Sequence, residues 1–122
     1  MTANPETAIQ KAILCKLSMY ETQANIKVYR MNNGAVYNEA AHDFQRVGPW
    51  HPHGLADIMV LCQHGVLFLE VKTLDGVQSS DQREFQAVCD HLGIVYAVVR
   101  SPKDAMDVLR KAGILGGELD RL

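Results

Sequence analysis

The chain has 122 residues, 48% hydrophobic and 21% charged, with 12 Lys and Arg against 14 Asp and Glu for a formal net charge of −2. That length supports one core, burying about two-thirds of the chain's surface, and is too short for two domains. The composition excludes a disordered chain, no apolar run approaches the roughly 18 residues of a membrane span, and the slight acidity excludes nucleic-acid binding by overall charge, leaving only a local basic patch. The N-terminus, MTANPETAIQ, lacks the basic-then-apolar order of a signal peptide, so a soluble, cytoplasmic protein with no membrane partner is expected. Cys15, Cys62 and Cys89 form no CxxC pair and sit in apolar contexts, which predicts buried free thiols rather than disulfides.

In chain order, Asn4-Pro5-Glu6 supplies a cap, a first-turn proline and an acid at the positive end of a helix dipole. Ile9, Ala12, Ile13, Leu17 and Tyr20 continue at helical spacing, predicting a helix over Pro5 to Tyr20. Ile26 to Met31 reads as a short strand closed by the turn Asn32-Asn33-Gly34. Residues 35 to 54, ending in Gly48-Pro49-Trp50-His51-Pro52-His53-Gly54, keep neither period and read as a rigid loop. Two apolar runs follow, Ala56 to Cys62 and Val66 to Thr73, joined by Gln63-His64-Gly65 as a β-hairpin of central strands. Ser79, Ser80 and Asp81 cap a second helix with the stripe Phe85, Val88, Cys89 and Leu92, closed by Gly93. Ile94 to Val99 is a β-branched strand, and Ser101-Pro102 starts a third helix ending near Ala112. The tail from Ile114 carries no clear pattern. The order α-β-loop-β-β-α-β-α gives an α/β fold, a mixed sheet flanked by helices.

Charge interrupts the two central strands at Asp57 and at Glu70 and Lys72, within Leu69-Glu70-Val71-Lys72-Thr73. Strand alternation sends Glu70 and Lys72 to one face and Val71 to the other. A carboxylate and an ammonium in a central strand must pair, bind a cation, or lie at an exposed end. A Glu70–Lys72 salt bridge is the plain reading. The other is a hard divalent cation, Mg²⁺ or Mn²⁺, held by Asp57 and Glu70, with Lys72 orienting or deprotonating a water for phosphodiester hydrolysis. A three-residue connection centred on His64 sets Asp57 opposite Val71. Bringing Asp57 and Glu70 to one face then requires a bulge or a one-residue register shift, and a bulge would also turn the Val71 carbonyl towards the metal.

In its motifs the chain resembles the VRR-NUC domain, a branch of the PD-(D/E)XK nuclease superfamily. The resemblance rests on Glu6-x3-Gln10, Met31-Asn32-Asn33-Gly34, Gly54-Leu55-Ala56-Asp57-Ile58 and Phe68-Leu69-Glu70-Val71-Lys72. It continues through Ser79-x2-Gln82-x2-Phe85 and Tyr96-Ala97-Val98-Val99-Arg100-Ser101, over nearly the whole chain. Ala56 stands where the superfamily's name has proline, at a variable position. The bare length is similar to that of stand-alone phage-type members. The resemblance implies a PD-(D/E)XK-like fold, Asp57 and Glu70 as metal-binding carboxylates and Lys72 as the catalytic lysine. It implies that Glu6 reaches the site from the first helix and that Gln82 contacts the lysine, the water or the phosphate. It further implies a homodimeric endonuclease acting on branched or Holliday-junction-like DNA. Glu6 otherwise reads as a dipole charge worth about 0.5 kcal/mol, and Gln82 as half of a capping box with Ser79.

His51, His53, Cys62 and His64 match no zinc-finger spacing. Trp50 suits a core or dimer interface, or stacking on a base. Arg30, Arg46, Lys72, Arg83 and Arg100 are candidates for a basic stripe beside the cleft. A non-catalytic DNA-binding or assembly module, or a restriction-type endonuclease subunit, are the alternative functions.

Overall fold

Helix starts are the most local signals in the chain, and the three among the described residues fall where capping chemistry sets them. The computed structural model describes residues 4–31, 36–38, 43–45, 53–63 and 65–115. Helix α1 (Pro5–Ser18) begins after Asn4, whose side chain accepts from the Glu6 N–H at 2.9 Å. Helix α2 (Ser80–Leu92) has a complete capping box: Ser79 Oγ accepts from the Gln82 N–H at 3.2 Å, and Gln82 Oε1 accepts from the Ser79 N–H at 2.8 Å. It stops at Gly93, whose φ of 74° is left-handed. Helix α3 (Pro102–Lys111) starts from Ser101, which accepts from the Asp104 N–H. No helix among the described residues is long and apolar enough to cross a membrane.

Four strands, β1 (Lys27–Arg30), β4 (Ile58–Cys62), β5 (Gly65–Val71) and β6 (Val95–Val99), form a mixed sheet in the order β1-β4-β5-β6. The first two pairings are antiparallel and β5–β6 is parallel, with α2 as its crossover. The apolar runs are the two central strands, as their composition predicts.

Alternation divides the sheet's surroundings. Ile58, Val60, Leu67, Leu69, Val71 and Val99 face one way and form the main core with Ile13 and Leu17 of α1 and Ala105, Met106 and Leu109 of α3. On the other face α2 covers a smaller cluster of Ala56, Cys89 and Tyr96, with Phe68 and Phe85 ring edge against ring face.

Several expectations need correction. Residues 35 to 54 are not simply loop: β2 (Val36–Asn38) and β3 (Asp43–Gln45) pair antiparallel in a separate two-stranded ladder. Strands of three residues are too short to show a hydrophobic period, and their pairing is carried by backbone bonds that any sequence can make. The expected apolar stripe of α2 is only half used, since Val88 and Leu92 are exposed and Cys89 alone is fully buried. A lone helix over two strands has one narrow contact line, and the stripe is wider than that. On α1, Ala12 is exposed and Gln10 is buried in its stead. All three cysteines are free, but only Cys89 is buried; Cys15 is exposed and Cys62 is intermediate. The Asn32-Asn33-Gly34 turn, Arg46, Trp50, His51, His64 and the tail beyond Leu115 lie outside the described residues.

Candidate active site

The hairpin register decides whether the two acids meet. Cys62 pairs with Gly65 and Ile58 with Leu69, so only residues 63 and 64 lie between the strands. One residue less in the turn shifts the register by one, and continuing it places Asp57 across from Glu70 instead of Val71. The ladder is regular from 58 to 62 and 65 to 69; the expected bulge is absent, and the register shift does its work.

Asp57 stands one residue before β4, where the ladder has no backbone partner left for Val71. Its side chain replaces that partner: Oδ2 accepts from the Val71 N–H at 2.9 Å, while its own carbonyl accepts from the Met31 N–H at 2.7 Å. The next residue's N–H, that of Lys72, turns to β6 and donates to Val99 O at 3.0 Å. This alternation also turns the Val71 carbonyl to the β4 side, towards Asp57, with no bulge needed.

Glu70 is 0% exposed and Asp57 6% exposed. Glu70 Oε2 accepts from Gln82 Nε2 at 2.7 Å, and its Oε1 has no hydrogen-bond partner. Burial, followed by the neighbouring Asp57 carboxylate, pushes the Glu70 pKa up to about 8; Lys72 pulls it the other way, and a proton shared with the Asp57 side chain and then the charge of Glu6 add smaller upward pushes. Lys72 is half-buried, and the ion pairs of the described residues do not include one between it and Glu70. Spacing alone permits that pair; the fold does not make it.

Gln82 carries both roles at once. Its Oε1 holds the Ser79 N–H and its Nε2 holds Glu70, so the cap fixes which end of the amide meets the carboxylate. Glu6, half-buried in the first turn of α1, reaches the pair through its charge.

A residue without an expected role completes the site. Gly54 has φ +69°, and a Cβ there would lie 2.3 Å from the Asp81 carbonyl and 2.6 Å from the Gln82 N. The segment leading into Asp57 is thus pressed against the first turn of α2, which only glycine permits. Its place in a Pro- and Gly-rich stretch next to Asp57 is the signal that marks it.

The chemistry fits a hard cation. Two facing carboxyls, a backbone carbonyl beside them and an orphaned buried Oε1 are oxygen donors suited to Mg²⁺ or Mn²⁺. Among the described residues there is no group of three or more His, Cys, Asp and Glu that could hold a metal. The expected basic stripe is partly committed to structure. Arg83 Nη1 donates to Gln78 O at 2.8 Å, and Arg100 Nη1 donates to three carbonyls of the segment following Lys72. A cavity of about 300 Å³ lined by Cys62, Gly65, Leu67, Gly93 and Ile114 lies at the opposite end of β5 and involves none of these residues.

No family model, curated protein or solved structure matches the chain.

Proposed function

We propose that the chain is a divalent-metal-dependent endonuclease of the PD-(D/E)XK kind, similar to VRR-NUC domains, that hydrolyses DNA phosphodiester bonds. The carrying observation is the Asp57–Glu70 pair: two carboxyls face to face, with Glu70 Oε1 unpartnered and its proton held to about pH 8. A cation between two such groups would take the place of the proton that burial and Asp57 hold on Glu70.

On this reading Asp57, Glu70 and the Val71 carbonyl hold Mg²⁺ or Mn²⁺. When bound, the ion supplies charge to a phosphoryl oxygen and acidity to a water. Lys72, on the Glu70 face and two residues on, orients that water and offsets charge on the phosphate. Gln82 keeps Glu70 in place through Nε2, and Glu6 adds negative charge at the edge of the site. The water oxygen bonds to phosphorus, the bond to the 3′ oxygen breaks, and the proton ends on that oxygen, leaving 5′-phosphate and 3′-hydroxyl ends. A homodimer acting on branched DNA completes the proposal, since a twofold axis would set two such sites for paired cuts.

The test is cleavage of a labelled four-way junction beside flap, single-stranded and linear duplex DNA, with Mg²⁺, Mn²⁺ or EDTA. Metal-dependent junction cutting that Asp57→Ala abolishes is the expected result. Cutting confined to flaps or single strands keeps the nuclease and removes the junction. Metal-independent binding with no cutting of any substrate favours the binding module.

A further inference from the structure

β5 ends at Val71, and the residues after Lys72 have no strand to hold them. Residues 73 to 78 run from Lys72 to Ser79, the cap of the helix that carries Gln82, so this short segment links two residues of the proposed site. Polar contacts tie it down. Arg100, just past β6, donates through Nη1 to Thr73 O, to Leu74 O at 3.3 Å and to Gly76 O at 2.8 Å. Its own N–H is fixed by Asp104 Oδ2 at 2.9 Å, in the first turn of α3. The Gly76 N–H returns to Thr73 O at 3.0 Å, closing a turn. That turn folds back on the lysine: a Cβ at Gly76 would lie 3.1 Å from Thr73 Oγ1, 3.3 Å from Thr73 N and 3.4 Å from Lys72 Cβ.

We propose that Arg100 and Gly76 are positioning residues for Lys72, the guanidinium drawing the 73–76 turn tight and the bare glycine letting it close against the base of the lysine side chain. The inference rests on the nuclease reading for what Lys72 does. Arg100 spends its Nη1 on backbone carbonyls, so the part assigned to it is to hold the chain. A lysine whose stem is walled in on one side loses rotamers before substrate arrives, and a displacement near 1 Å at such a group can cost about a hundredfold in rate.

Two substitutions approach the turn from opposite sides: Arg100→Gln removes the clamp, and Gly76→Ala crowds the turn while leaving the clamp intact. Cleavage kinetics per folded molecule, the salt dependence of DNA binding with EDTA present, and amide exchange over residues 73–78 are measured for both, with Asp57→Ala as the inactive control. Both variants should lower kcat roughly 10- to 100-fold with KM and the salt slope unchanged, and Arg100→Gln should also speed exchange across the turn. Arg100→Lys, which keeps the charge without the guanidinium fork, should fall between. A salt slope reduced by about one with kcat retained would make Arg100 a phosphate contact and overturn the proposal. So would unchanged kcat in both variants, which leaves the nuclease reading standing. A wild-type protein that cleaves no DNA overturns that reading and this inference together.

Discussion

The two faces of β5 are built from alternate residues of one strand and have opposite purposes. Leu67, Leu69 and Val71 disappear into the apolar core under α1 and α3, among hydrophobic side chains. Phe68 and Glu70 face α2, and there a carboxyl is as buried as the leucine beside it. Burial stabilises the first face and strains the second. A strand can therefore place a costly charged group with precision because its other side is secured by ordinary packing.

The sharpest division between the faces should come from pH. In metal-free protein Glu70 holds its proton to about 8, against an ordinary value of 4.5 in the unfolded chain. Between those values the folded state binds the extra proton, so stability falls as pH rises through the window and the loss is complete above it. The full effect is at most roughly 5 kcal/mol. Urea midpoints from pH 5 to 9 in EDTA should therefore decline for the wild type and stay flatter for Glu70→Gln; parallel slopes would sink the strained-acid picture.

Leu69→Ala tests the other face, with an expected loss of about 3 kcal/mol from the transferred side chain and the cavity left behind. Cleavage by the fraction that stays folded at low temperature should persist, because the side chains of Asp57, Glu70, Lys72 and Gln82 do not enter that core. Gly54→Ala should cost a similar amount, roughly 3 kcal/mol, through strain at positive φ and collision with the α2 backbone. Unlike Leu69→Ala it should take activity with it, since the turn it displaces carries Gln82. Equal kinetic effects of the two substitutions would erase the distinction between the faces. Ser79→Ala is the mildest, about 1 kcal/mol by thermal unfolding. It leaves the Ser79 backbone N–H and the Gln82 amide in place, so cleavage should be little changed.

Much of the frame was legible in the chain. Caps at Asn4 and Ser101 located two helix starts within a residue, and Ser79, Ser80 and Asp81 bracketed the third, because capping needs only neighbours a few positions apart. The apolar runs marked β4 and β5 as central, and the charges that interrupt them marked Asp57, Glu70 and Lys72. The hairpin was expected, but with a turn one residue too long. Gly65 looks like a turn residue by composition, yet it pairs with Cys62 as the first residue of β5. The same shortfall appears in β2 and β3, whose pairing has no period to announce it.

Sequence alone determined which residues alternate on a strand, where helices start, and that a carboxylate and an ammonium share one face near a strand end. These follow from local geometry, repeated every two residues or every turn. Tertiary structure alone decided that Asp57 faces Glu70, that one glutamine amide both caps α2 and holds Glu70, and that Arg100 grips the segment after Lys72. Each depends on residues brought together from distant parts of the chain. Their partners are chosen by register and packing, which no local pattern encodes.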